Sequence, residues 1–295
     1  MKKFTLLLTA LLMVSFSAMA QRKLVVHKLT GETVEFIASE VSYIDFVDVT
    51  TKPDDDPVVP GSGSFVAKPF SVSATKTVTF SSGNLQYHAA NDEWRFAPSQ
   101  LDYIGKDNEN ISSTYNGWID LFGWGTGNNP TNKSEDYRDY QTFVDWGVNG
   151  IGSYAPNTWR TLTYDEWSYL VFTRNNASSS VGVAQVNGVN GLILLPDSWQ
   201  CPSDVTFKAG FDNGDYQTIS ASEWSKLVAS GAVFLPAADY RYGSDVNGVQ
   251  YYGYYWSATE YDSKYANYLY FGSGEASMGD DGNRSLGLSV RLVQD

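Results

Sequence analysis

The chain reads as an α+β protein: two short helices packed on antiparallel sheets, preceded by a small β module. Three observations predict this. A hydroxyl-x-x-Glu-Trp-Ser-x-Leu-Val segment occurs twice, at residues 163–171 and 220–228. Each copy is followed by a Gly-x-x-x-Leu-Pro run, ending at Pro196 and at Pro236. Period-two alternation of apolar residues fills the regions before and after the copies.

The first twenty residues have the form of a secretory signal. Lys2 and Lys3 precede an apolar run to Phe16, and Ala18-Met19-Ala20 supplies a small-x-small cleavage site. Gln21, not Cys, stands directly after that site, so the expected product is secreted or held at the cell surface without a lipid-bearing cysteine. No later run approaches the roughly 18 apolar residues of a membrane span.

Residues 21–49 alternate as strands around a turn at Thr30-Gly31-Glu32, with a third short strand at 44–46. So short a module buries little alone and is expected to lie on a partner, on the main domain, or in a larger surface assembly. Residues 50–64 combine Pro, Asp, Gly and Ser into a linker.

One domain is expected over 65–295. Strands at 70–73 and 77–80 lead to a hairpin of 85–87 with 94–96. Residues 117–152 are loop-rich, and Trp118, Phe122, Trp124 and Trp146 favour their packing. The two Glu-Trp segments are capping boxes and start helices at 163–174 and 220–230. In each, Trp followed three and four residues later by Leu and Val makes one apolar stripe. Strands are predicted at 254–259, 265–271 and 286–293, separated by polar turns at 260–264 and 272–284. Arg291, in the last of these, is expected to pair with a buried acid.

The formal net charge is −13. Such a surface repels phosphate backbones, so nucleic acid and anionic membranes are not expected partners. Cys201 is the only cysteine, which excludes an internal disulfide and a cysteine-based metal cage.

Several segments together resemble the C-type-lectin-like domains of Bacteroidetes surface proteins, kin of sulfatase-modifying-factor-like and diversity-generating variable proteins. They are residues 159–167, both Leu-Pro runs, Tyr255-Trp256-Ser257-Ala258-Thr259, residues 287–293, and the stretches at 81–87 and 115–125. The likeness covers about residues 65–295. It implies a compact α+β domain that displays a binding surface at its C-terminal strands and loops. The paired active-site cysteines of the formylglycine-generating branch are missing. So are the Glu-Pro-Asn and Gln-Pro-Asp triplets of calcium-dependent sugar-binding lectins, so neither activity is implied.

Eight of the 20 tyrosines fall between Tyr251 and Tyr270. Tyrosine is a rigid, amphipathic contact residue. If Leu269 and Phe271 face the core, Tyr268 and Tyr270 face outward. The candidate ligand-binding set is Tyr251, Tyr252, Tyr254, Tyr268 and Tyr270, with polar neighbours Glu260, Asp262, Glu275, Asp280, Asp281, Asn283 and Arg284. The ligand is expected to be a carbohydrate or a protein. No catalytic residue, metal site or cofactor is assigned: the histidines are His27 and His88 alone, and no carboxylate pair carries a local signature. A structural or tip subunit of a surface appendage is the second reading, and a glycan-active enzyme the third.

Overall fold

The computed structural model describes residues 23–27, 33–37, 66–211 and 214–295, with backbone alone for 23–27, 33–37 and Asp280. The expected signal, the third short strand at 44–46 and the linker at 50–64 lie outside the described residues. The chain divides into two compact units, Met1–Pro53 and Asp54–Asp295. In the first, β1 (Lys23–His27) pairs antiparallel with β2 (Thr33–Ile37), the hairpin expected around residues 30–32.

The second unit is α+β, with mostly antiparallel strands. Its first strands are β3 (Phe70–Ser71), β4 (Thr77–Phe80), β5 (Leu85–His88), β6 (Glu93–Phe96) and β7 (Trp118–Ile119). Helix α1 (Tyr164–Ser168) runs into a single π turn at Tyr169–Thr173 and is followed by α2 (Ala177–Ser180). Next come β8 (Val181–Val186), β9 (Val189–Leu194), β10 (Gln217–Ile219), α3 (Ala221–Ala229) and β11 (Val233–Pro236). The C-terminal part holds β12 (Tyr240–Tyr242), β13 (Asp245–Asn247), β14 (Gly253–Glu260), β15 (Tyr265–Gly272), β16 (Glu275–Asn283) and β17 (Val293–Gln294).

Both helix starts are closed as the sequence predicts. Thr163 Oγ1 accepts from Glu166 N at 3.3 Å while Glu166 Oε2 accepts from Thr163 N at 3.0 Å, and Ser220 and Glu223 repeat the exchange. The two Leu-Pro strands pair with each other: Leu192 stands opposite Leu235, and Gly191 opposite Pro236. They form the middle and one edge of a four-stranded sheet ordered β10-β8-β9-β11, in which β10 runs parallel to β8 and the other pairs are antiparallel.

Helix α1 with its π turn covers one face of this sheet and α3 the other. Val181, Val183, Leu192, Leu194, Val233 and Leu235 share a core with Trp167, Leu170 and Val171. On the other face, Ala184, Val186, Ile193, Leu195 and Phe234 meet Trp224, Leu227 and Val228 of α3. Coverage on both faces is why these strands read as unbroken apolar runs. Gly191 is required by the close approach: a Cβ there would stand 2.4 Å from the Phe234 ring and 2.5 Å from the Leu235 carbonyl oxygen.

A third core is aromatic. Trp94, Phe122, Trp124, Trp146, Trp159 and Trp256 pack with Leu288, Val290 and Leu292, so residues 117–152 supply packing as expected. Three expectations are corrected. Residues 275–283 are the strand β16 and not a polar turn. This is an edge strand, so its apolar alternation survives only at Ala276 and Met278, which pack on the first core.

Conversely, residues 286–292 form no continuous ladder. Their bonds are dispersed, Leu288 N donating to Phe122 O at 3.0 Å, Ser289 N to Tyr254 O at 3.1 Å, and Val290 O accepting from Leu85 N at 2.9 Å. The run is apolar because it threads between sheets. Arg291 is buried and donates to Gln100 Oε1 at 2.9 Å and Asn84 Oδ1 at 3.5 Å instead of to an acid. Burial pulls its pKa down to about 9, with the Tyr255 phenol acting the other way.

Candidate functional site

The three-stranded sheet β14-β15-β16 divides its side chains by the period-two rule. Tyr255 opposite Leu269, with Phe271, faces the core; Tyr254 opposite Tyr270, and Trp256 opposite Tyr268, fall on the other face. On that second face the rings form a continuous array. Centroids of Tyr254 and Tyr270 are 5.1 Å apart, Tyr254 and Tyr268 5.7 Å, and Tyr252 and Tyr270 5.6 Å. Tyr240 meets Tyr254 edge-on at 5.8 Å.

Glycines seat these rings. A Cβ on Gly282 would lie 2.7 Å from the Tyr268 ring, and one on Gly272 2.9 Å from that of Tyr252. Tyr254, Tyr268 and Tyr270 are half-buried, Tyr252 is 42% exposed and Tyr251 71%. The face is therefore a platform with wet edges.

Carboxylates hold the phenols in place. Tyr268 Oη donates to Asp281 Oδ1 at 2.8 Å and Tyr270 Oη to Glu275 Oε1 at 2.6 Å. Burial and the Glu275 bond push the Tyr270 phenol well above its ordinary pKa, and burial followed by Asp239 does the same for Tyr254. These hydroxyls remain neutral donors at physiological pH. Beside them Asp239 is buried, its Oδ1 meets no donor, and burial lifts its pKa to about 6 against a hydrogen bond from the Tyr240 backbone.

The sequence-predicted set thus separates into two ends of one sheet. Tyr251, Tyr252, Tyr254, Tyr268, Tyr270, Glu275 and Asp281 gather on or beside the aromatic face. Glu260, Asp262, Asn283 and Arg284 stand at the opposite, hairpin end. Asp262 Oδ1 accepts from the amides of Lys264 at 2.7 Å and Tyr265 at 2.8 Å, and these bonds hold its pKa below the usual range. Asn283 Oδ1 accepts from Ser285 N at 3.1 Å. Both build turns.

Arg284 is corrected: its side chain is 1% exposed and is no surface contact. Its guanidinium lies 4.4 Å from the Trp124 ring centroid and donates to Glu260 Oε2 at 2.9 Å, to Tyr265 O at 3.4 Å and to the carbonyl of Asp262. A planar cation between an indole and several carbonyls is satisfied without water. The side chain of Asp280 lies outside the described residues.

Sequence reasoning passed over Tyr240 and Asp239. Their signal was weak, because they precede β14 and join the face only through the fold. His88 is buried edge-on to Trp118 at 5.2 Å. Among the described residues no group of three or more His, Cys, Asp or Glu side chains is placed to hold a metal ion, and no helix is long and apolar enough to cross a membrane.

Residues 206–293 match a family described as a domain of unknown function, DUF8237. That span runs from the approach to β10 and α3, past β16, to Val293 at the start of β17, and includes the tyrosine face. No curated protein and no solved structure matches the chain.

Proposed function

We propose that the chain is an exported, non-enzymatic binding protein whose C-type-lectin-like domain recognises a carbohydrate or protein ligand through the tyrosine face of β14-β15-β16. One observation carries this: Tyr252, Tyr254, Tyr268 and Tyr270 form a contiguous, partly exposed array whose outer phenols are pinned by Asp281 and Glu275. Rigid aromatic side chains lose little entropy on binding. Their rings offer apolar area to a sugar ring or a flat protein patch, and the fixed carboxylates offer acceptors.

The test is a glycan array together with pull-down from the natural surroundings, using the Tyr268→Ala, Tyr270→Ala double variant. Loss of signal with folding retained is expected, at the scale of about 2 kcal/mol or more for a hot spot. Unchanged binding by the double variant would count against this face.

A second reading is assembly into a surface appendage, favoured by the two-stranded β1-β2 sheet in its own compact unit. Two strands alone make a marginal sheet, and the backbone edges of such a hairpin can add to a neighbour's sheet. Deleting residues 21–49 should abolish surface incorporation while the second unit keeps its stability. Incorporation by the deleted chain would remove this reading.

A further inference from the structure

The geometry points to a separate site across the C-terminal hairpin from the tyrosine face: a cleft that takes one neutral pyranose ring. Its volume is about 290 Å³, and it is lined by Tyr164 and Asp165 of α1, Thr259 of β14, Tyr261 of the hairpin turn and Asn267 of β15.

The cleft exists because the hairpin bulges. Trp256 pairs with Tyr268 and Glu260 with Ala266, so residues 257–259 stand opposite Asn267 alone. Such bulges re-aim side chains and recur beside functional sites. Ser257 Oγ donates to Asn267 O at 2.9 Å, and the Asn267 amide donates to the carbonyls of Thr259 at 3.4 Å and Glu260 at 3.3 Å. Those two acceptors fix the orientation of the amide, with NH2 toward the bulge and Oδ1 away from it. Asn267 is 6% exposed, yet no donor among the described residues reaches Oδ1. What remains of its surface opens on the cleft.

The other lining groups complete a pattern. Thr259 Oγ1 accepts from Tyr164 N at 3.0 Å, leaving its proton free to donate. Asp165 is exposed, and none of the described residues donates to its carboxylate. Tyr261, 58% exposed, and half-buried Tyr164 supply aromatic rings. The result is two acceptors and one donor between phenol rings.

Sugar hydroxyls donate and accept together, and the C–H face of a pyranose is apolar enough to lie on an aromatic ring. The volume is near the low end of ligand cavities, which begins at about 300 Å³. An anionic ligand would meet Asp165 and find no cation in the lining. A cationic ligand would satisfy Asp165 but leave the Thr259 proton unused. A neutral sugar uses all three groups.

Saturation-transfer NMR and titration with the methyl glycosides of glucose, galactose, mannose and N-acetylglucosamine test this on the full chain. At least one should bind with a Kd of about 1 mM. Asp165→Asn and Tyr261→Ala should each weaken it about tenfold. Both residues are on the surface, so the thermal midpoint should hold. Absence of transfer from all four at about tenfold higher concentration, or binding that survives both substitutions, overturns the site. So would equal or tighter binding of lysine methyl ester.

Discussion

Gly279 faces Tyr268 across the β15-β16 ladder, and the tyrosine ring fills the space that a side chain at Gly279 would take. A Cβ there would stand 2.2 Å from Tyr268 Cζ. Gly279→Ala should therefore cost about 1–3 kcal/mol, the range for overpacking, and break the Tyr268–Asp281 hydrogen bond. Urea unfolding measures the cost. In the Gly279→Ala, Tyr268→Ala double variant the losses should fall short of their sum, because removing the ring removes the clash. Additive losses would show that the ring is not seated on the glycine.

The two capping boxes are alike in sequence and unequal in surroundings. Glu223 serves its own cap and the Thr206 amide. Glu166 also takes both guanidinium nitrogens of Arg160, at 2.7 and 2.8 Å, and Lys76 Nζ at 3.3 Å. Thr163→Ala and Ser220→Ala should each cost about 1 kcal/mol. Glu166→Gln should cost more than Glu223→Gln, because it leaves Arg160 half-buried with a weaker partner. Chemical denaturation of the four variants checks the order; equal costs for the two glutamate changes would refute it.

This contrast shows what the sequence could and could not convey. The caps, the Trp-Leu-Val stripes and the Leu-Pro strands were legible because each is a local pattern with a single physical reading. That Leu192 would pair with Leu235, and that α1 and α3 would take opposite faces, depends on contacts far apart in the chain. β16 was hidden for another reason: Gly279 and Gly282 are small to admit a ring from the next strand, and in sequence that reads as a turn. The charge of Arg284 points to a surface contact, because charge ordinarily marks surface and no local signal announces the Trp124 ring above it. Of the site, the alternation of Tyr268 and Tyr270 with Leu269 and Phe271 was legible in full.

Acid should stabilise the protein before it harms it. Burial raises Asp120 and Asp239 from the ordinary 3.8 to about 6. The folded state then binds protons more tightly than the unfolded one, so stability rises as pH falls through 6 toward 4. Glu166 acts in the opposite sense: burial would raise it, but Arg160 and the Thr163 amide hold it below its usual value. Its contribution is lost only as the pH falls below the ordinary carboxylate range. Thermal midpoints should therefore peak between about pH 4 and 6. Asp239→Asn should raise the midpoint near neutrality and flatten its rise on acidification. A midpoint that falls steadily from pH 7 to 5 in the parent would contradict this assignment.

Arg284 distinguishes a structural cation from a binding one. Its guanidinium joins the hairpin turn to the aromatic core, contacting Trp124, Glu260 and the carbonyls of Asp262 and Tyr265 together. Arg284→Ala should cost about 2–3 kcal/mol by emptying its buried place on the Trp124 ring and leaving the Tyr140 carbonyl without its donor, and should speed amide exchange around residues 260–266. Arg284→Lys should recover little, because an ammonium cannot stack on the indole and span several oxygens at once. Tyr252, Tyr270 and Glu275 lie at the other end of the same sheet, so ligand affinity measured below the unfolding transition should be retained in both variants. Were Arg284 a ligand contact, the order would invert: affinity would drop while the unfolding midpoint stayed put.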